Sequence, residues 1–431
     1  MSTSRDLEPA EALLAGVDQQ VAVSSTIEGP LDLLALDEAV GRLAEEEPVL
    51  LARLEAGTSG LTLSLPNRPA PPRLHRGICG DEALTAPFPL DGPLLRVTVV
   101  PGPDGVHEVV TAVHHAVSDG ASVLELHRRL WDAYTARLRG EPPRPAGRRC
   151  DGLPEPAGRW FAGVIGPDRL AAYLAARAAG MPSRRAATLC ATARGESGAH
   201  LGRVELAGES YAAFRDVARE CGATPHTLLC AAALGVIRER IPVPGDLPMS
   251  CVSAVDLRTR VTPAVPRDRL VMGAGPVATL TSHSPGDDAR DRAPEILGQL
   301  RDALRDGVPE LELLAARHVM AELTGEAPAA VTLSVSNLAG RPLRLGLPPG
   351  HTASRLRLFS QPPGPFPVVL ATSTPQGLGL DTAFPRAWFG ADEAAAFTAG
   401  LDRSLKRLAA AATPASTTRV VPRRTSGAGD E

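Results

Sequence analysis

Lysine is almost missing from this chain: of 45 basic residues, only Lys406 is a lysine. Asparagine occurs twice, at Asn67 and Asn337, and aromatic residues make up 3%. Together with abundant Ala, Gly, Pro and Arg, these shortages are what GC-rich coding produces, so the arginine content by itself implies no partner. There is no basic excess either, the formal net charge being −4, which argues against nucleic-acid binding. No apolar run approaches the roughly 18 residues that a membrane span needs. The start, MSTSRDLEPAEALLAG, lacks the basic and apolar regions of a signal peptide, so a cytoplasmic protein without a membrane span is expected. The six cysteines contain no C-x-x-C pair. Neither a disulfide framework nor a metal site is expected, and the thiols should be reduced and mostly buried.

What is present is the composition of a globular protein, 44% hydrophobic and 22% charged over 431 residues, long enough for two or three domains. Residues 30–56 carry apolar residues at helical spacing and read as a helix followed by a short strand. The runs 93–100 and 107–117 flank the turn PGPDG, the pattern of a hairpin. A helix is predicted over 121–138, with Ser122 and Glu125 as a candidate capping box. The stretch 140–157, rich in Pro, Gly and Arg, reads as a linker or crossover. A second half follows, with helices predicted at 167–180, 208–221 and 224–240, the last opened by Thr224 and Pro225. Strands are expected at 199–206, 249–256, 269–281, 330–337, 352–360 and 367–372, and a final helix near 391–412. An α/β or α+β order in both halves suggests two domains, at 1–160 and 161–413, and a disordered tail over 414–431.

The sharpest feature is His114-His115-Ala116-Val117-Ser118-Asp119-Gly120, where a strand ends and a helix is about to start. Side chains alternate along a strand, so His114 and His115 point to opposite faces and only one addresses a given pocket. Asp119 is placed to cap the following helix or to fix the loop through a salt bridge, and Gly120 permits a close approach. Taken singly, each residue has an ordinary structural explanation. Together they read HHxxxDG, a specific pattern at such a junction.

That motif resembles the superfamily of chloramphenicol acetyltransferase, non-ribosomal peptide condensation domains and polyketide-associated acyltransferases. The resemblance extends through EEEPVLLARL, ATPHTLLCAAALGVIRER, SAVDLRTRV and SVSNLAGRP. Two departures stand out. Glu45, Glu46 and Glu47 precede Pro48 where relatives often read RHPVLRARF, and Leu338-Ala339 separate Asn337 from Gly340.

The resemblance implies two chloramphenicol acetyltransferase-like subdomains arranged as a V, with a tunnel between them. It implies transfer of an acyl group from a thioester, acyl-coenzyme A or acyl-phosphopantetheine, to a hydroxyl or amine of a small-molecule acceptor. His115 would be the general base, as suits an imidazole whose pKa lies near operating pH. His114 and Gly120 would organise the site, Gly120 leaving space for the thioester arm. Asp119 would pair with Arg258, and Ser336 or Asn337 would contact the oxyanion or substrate; for Asn337 a plain turn role is the alternative. No permanently bound cofactor is implied, a carrier protein is a candidate partner, and a monomer is expected. The competing reading is a non-transferring, condensation-like protein that binds a carrier protein, or an enzyme of cyclisation, dehydration or epimerisation. Gly273–Ala278 matches G-x-G-x-x-A but lacks the following helix that dinucleotide binding requires. His226 reads as a polar first-turn residue.

Overall fold

The computed structural model describes the chain except residues 1–3, 17–19, 58–59, 90, 142–151, 181–184, 190–191, 193, 317–330, 341 and 412–431. The predicted tail, Cys150, Cys190 and the centre of the Pro-rich stretch lie outside the described residues.

In the first half the order is β1 (Ser4–Asp6), α1 (Pro9–Gly16), β2 (Gln20–Glu28), α2 (Leu33–Glu46), β3 (Arg53–Gly57), β4 (Gly60–Ser64) and β5 (Leu74–Arg76). Next come α3 (Gly80–Thr85), β6 (Leu95–Pro101), β7 (Val106–His114), α4 (Gly120–Leu138), α5 (Gly158–Phe161) and α6 (Pro167–Gly180). The second half runs β8 (Ala199–Ala207), α7 (Gly208–Glu220), α8 (Pro225–Arg238), β9 (Leu247–Asp256), β10 (Ala274–His283), α9 (Ala289–Arg305) and α10 (Val308–Leu314). It closes with β11 (Leu333–Asn337), β12 (Thr352–Ser360), β13 (Val368–Thr374), β14 (Gly377–Pro385) and α11 (Ala391–Ala410).

A five-stranded sheet has the order β12-β2-β7-β6-β5. Its odd-numbered residues Val21, Val23, Ile27, Val109 and Val113 join Leu36, Val40 and Leu43 of α2 and Val123, Leu126 and Leu130 of α4 in one core. Side chains alternate between the two faces of a strand, and here both faces are covered. Burial of each Leu or Val there contributes roughly 1.5–3 kcal/mol. Ala22, Val110 and Ala112 face the other way, against Leu84, Phe88 and Phe359. The second, six-stranded sheet has the order β10-β9-β11-β13-β14-β8, with β11 parallel to both its neighbours. Helices α7, α8, α9 and α11 cover one face of it, and α8 is buried along nearly its whole length. A small sheet, β1-β4-β3, completes the set.

The halves are not separate along the chain. Strand β12, from the second half of the sequence, pairs antiparallel with β2, Ser360 opposite Val21 and Thr352 opposite Glu28. Among the described residues no single helix is long and apolar enough to cross a membrane; only α7 and α8 together pass by length and composition, across a 94° bend.

Most local expectations match, including the β6–β7 hairpin and the Thr224 cap, whose side chain accepts the Thr227 N–H at 3.2 Å. Residues 274–283 form a strand paired with β9, in line with the strand expected at 269–281 and with the lack of dinucleotide-binding context there. Two expectations differ. Glu125 does not complete a capping box: it holds Arg128 at 2.9 Å, and the cap of α4 is Asp119. Strand β7 stops at His114, and His115 stands in the turn beyond it. The acidic substitution at the end of α2 also has an explanation: Glu46 and Glu47 hold Arg129 of α4 at 2.7 and 2.8 Å.

Candidate active site

The turn after β7 is closed by the Val117 N–H on the His114 carbonyl at 3.1 Å and the Ser118 N–H on the His115 carbonyl at 3.4 Å. His114 is fully buried on the Ala112 face, edge-on to Phe88 at 6.1 Å, and its Nδ1 accepts the Ala116 N–H at 3.1 Å. Burial, and then the neighbouring His115, push its pKa down to about 4. His114 is therefore a neutral strut of the turn.

From Thr111 to Ser122 only His115, Gly120 and Ala121 keep appreciable accessible surface. The Nδ1 atom of His115 is buried without a hydrogen-bond partner. Burial lowers its pKa, against the opposing pull of its own and Ser118's backbone and of the Asp119 charge. The imidazole is accordingly neutral at physiological pH, the form in which it can accept a proton.

Asp119 anchors the turn. Its Oδ2 accepts Arg258 Nη1 at 2.7 Å and the Gly273 N–H at 2.9 Å; its Oδ1 accepts Arg258 Nη2 at 3.2 Å and the Ser122 N–H at 2.8 Å. Arg258 also donates to Asp256 Oδ1 at 3.1 Å, Ser122 Oγ at 2.6 Å and the Val271 carbonyl at 2.9 Å. Both side chains are buried. Burial alone would raise the Asp119 pKa, but the Arg258 charge and these hydrogen bonds outweigh it and hold the carboxyl below its ordinary value. A two-toothed pair between α4 and the turn after β9 thus ties the halves together at the site.

The loop after β11 comes to the same place. A Cβ at Gly120 would stand 2.7 Å from Leu338 Cδ1. Ser336 and Asn337 are both partly accessible, and Asn337 Oδ1 accepts the Ala339 N–H at 3.0 Å, the local turn that asparagine side chains commonly make. His226 sits in the first turn of α8 with Nε2 2.8 Å from Ser253 Oγ, while its Nδ1 is buried without a hydrogen-bond partner. Ser122, Gly273 and Leu338 are site residues that the sequence did not single out in these roles. Gly273 carried only a backbone role, which no side-chain pattern announces. Among the described residues no group of three or more His, Cys, Asp or Glu could hold a metal ion.

The trichothecene 15-O-acetyltransferase from Fusarium sporotrichioides superposes with a TM-score of 0.75 at 12% identity, covering 94% of this chain and 95% of that one. Polyketide synthase associated protein 5 from Mycobacterium tuberculosis gives 0.74 at 20% identity, over 94% and 97%. The starter condensation domain of rhizomide synthetase, solved with C8-CoA, gives 0.67 at 16% identity, over 96% of each chain. The fold is the one these acyltransferases and condensation domains share. In sequence, residues 195–376 match the family described as the phthiocerol/phthiodiolone dimycocerosyl transferase C-terminus. The transferase of that name from Mycobacterium sp. (strain JLS) is 25% identical over 355 residues, 81% of this chain and 84% of the relative.

Proposed function

We propose that this acyltransferase moves an acyl group from a thioester to a hydroxyl or amine, with His115 as general base. The observation that carries the reading is a neutral, partly accessible imidazole in a turn locked by Asp119 and Arg258. With Nδ1 buried, Nε2 is the nitrogen that takes the acceptor's proton. The acceptor's oxygen or nitrogen attacks the thioester carbonyl and forms a tetrahedral oxyanion. Collapse breaks the carbon–sulfur bond, and the imidazolium returns its proton to the departing thiolate. Base catalysis of this kind contributes typically 10²–10⁴-fold, so about 3–5 kcal/mol of the barrier.

Ser336 Oγ and the Asn337 amide N–H are the candidate donors to the oxyanion. The Asn337 carbonyl oxygen is spent on Ala339, which leaves its amide hydrogens for that role. The two sheets would form the arms of a V, donor and acceptor entering a tunnel between them from opposite ends, with the domain boundary near residue 160. A hydroxyl acceptor is favoured by the 15-O-acetyltransferase likeness, and coenzyme A as a donor by the condensation domain solved with C8-CoA. A phosphopantetheine-loaded carrier protein is the second donor. The test is incubation of the full chain with acyl-coenzyme A or acyl-carrier donors and long-chain alcohols or amines. Release of free thiol together with a product of ester or amide mass supports the reading. Thiol release without acylated product, or no turnover with any donor, contradicts it.

A further inference from the structure

Gly120 is the first residue of α4, and its φ is not in the left-handed region, so the backbone there does not require glycine. What requires it is Leu338: a Cβ at residue 120 would meet Leu338 Cδ1 at 2.7 Å, with Leu358 Cδ2 next at 3.9 Å. Leu338 is itself firmly seated. Its N–H donates to the Ala371 carbonyl at 2.8 Å, the next N–H bonds Asn337, and Ser373 Oγ holds the Ala339 carbonyl at 2.8 Å. The Leu338 side chain packs on the first-half core yet keeps accessible surface, as do Gly120, Ala121 and His115. The space beside the motif glycine is therefore filled in this chain rather than left for a thioester arm.

A nucleophile held by His115 must attack a carbonyl carbon a bond length or two away, so the carbon next to that carbonyl lies over the same short turn. We infer that Leu338 is a specificity-determining residue that admits acyl groups unbranched next to the thioester carbonyl and excludes branched ones. The inference rests on the acyl-transfer reading. One extra methyl against a packed wall is worth about tenfold or more in kcat/KM.

The experiment compares butyryl-coenzyme A with isobutyryl-coenzyme A, using one alcohol acceptor, on wild type, Leu338→Ala, Leu338→Val, Gly120→Ala and the double variant Gly120→Ala/Leu338→Ala. Wild type should favour butyryl by about tenfold or more. Leu338→Ala should raise the isobutyryl-to-butyryl ratio of kcat/KM by about tenfold, with Leu338→Val in between and the acceptor KM unmoved. Gly120→Ala, which drives Leu338 away from its seat, should cut turnover, and removal of Leu338 in that background should restore it. The Val variant keeps most of the packing, so it carries the test should Ala fail to fold. Equal use of both donors by wild type, or a ratio unchanged in the Leu338 variants while butyryl transfer continues, overturns this inference alone. Absence of any butyryl transfer by wild type overturns the acyl-transfer reading and this inference with it.

Discussion

Asp119→Asn is expected to loosen the whole molecule, because the carboxylate serves four donors at once. It accepts both Arg258 nitrogens, at 2.7 and 3.2 Å, and the N–H groups of Ser122 and Gly273 at 2.8 and 2.9 Å. Asparagine keeps the shape but turns an NH₂ toward a guanidinium, donor against donor. Breaking a buried ion pair by changing one partner costs about 3–5 kcal/mol, mostly through the orphaned charge. Here Arg258 keeps Asp256, Ser122 Oγ and the Val271 carbonyl, so the lower end applies, about 3 kcal/mol. That is roughly a hundredfold in the folded-to-unfolded ratio. Urea unfolding followed by circular dichroism and tryptophan fluorescence measures it. Trp160 is a local reporter, since its ring edge and the Arg258 guanidinium crowd the same Cβ position at Gly273. The sign with pH follows from the lowered Asp119 pKa. The stabilisation is fully present above the unfolded carboxyl value, about 4, and is lost as pH falls through the lower folded value. A loss under about 1 kcal/mol, or a cycle with Arg258→Met showing coupling within about 0.5 kcal/mol of zero, would refute the reasoning.

Other perturbations have equally definite outcomes. The acid limb of kcat/KM should have its midpoint below the ordinary histidine value of about 6.5, because burial lowers the His115 pKa and the proposed base acts as the neutral ring; a midpoint above 7 in rate–pH profiles contradicts this. His127 is buried between Ser25, Thr111 and Trp131, and burial pushes its pKa down to about 3. Its folded value is depressed, so its contribution to stability is full above pH 6.5 and falls by up to about 1.4 kcal/mol per pH unit below that; His127→Gln should flatten the stability–pH slope between pH 4 and 6. Arg238 gives its buried guanidinium to the carbonyls of His283, Ile241, Val243 and Gly245. Arg238→Ala should cost about 3 kcal/mol or more in urea unfolding, since four acceptors lose a charged donor.

The features that a local pattern can carry were legible. The hairpin, the helix after the motif and the Thr224 cap each depend on a few neighbouring residues, and each is found where expected. Strand β2 was not anticipated, because Ser24 and Ser25 interrupt its apolar run; both are buried, one on Glu108 and the other on His127. Strand β14, GLGLDTAFP, is hidden by its glycines and by Asp381, a buried carboxylate that Arg203 holds at 3.0 Å. The pairing of β12 with β2 spans more than three hundred residues, and no short-range signal encodes it. At the site the same division applies. The motif announced His115 and Asp119, and the family likeness proposed Arg258. The backbone N–H of Gly273 and the reach of Leu338 to Gly120 arise only when the halves meet.

The most direct test of His115 as the base is a single-turnover comparison of wild type with His115→Ala, using a donor and acceptor pair that wild type converts. A loss of about 10²–10⁴-fold in the transfer rate, with donor affinity and unfolding midpoint essentially unchanged, is the expected result. Transfer by His115→Ala at the wild-type rate would contradict it.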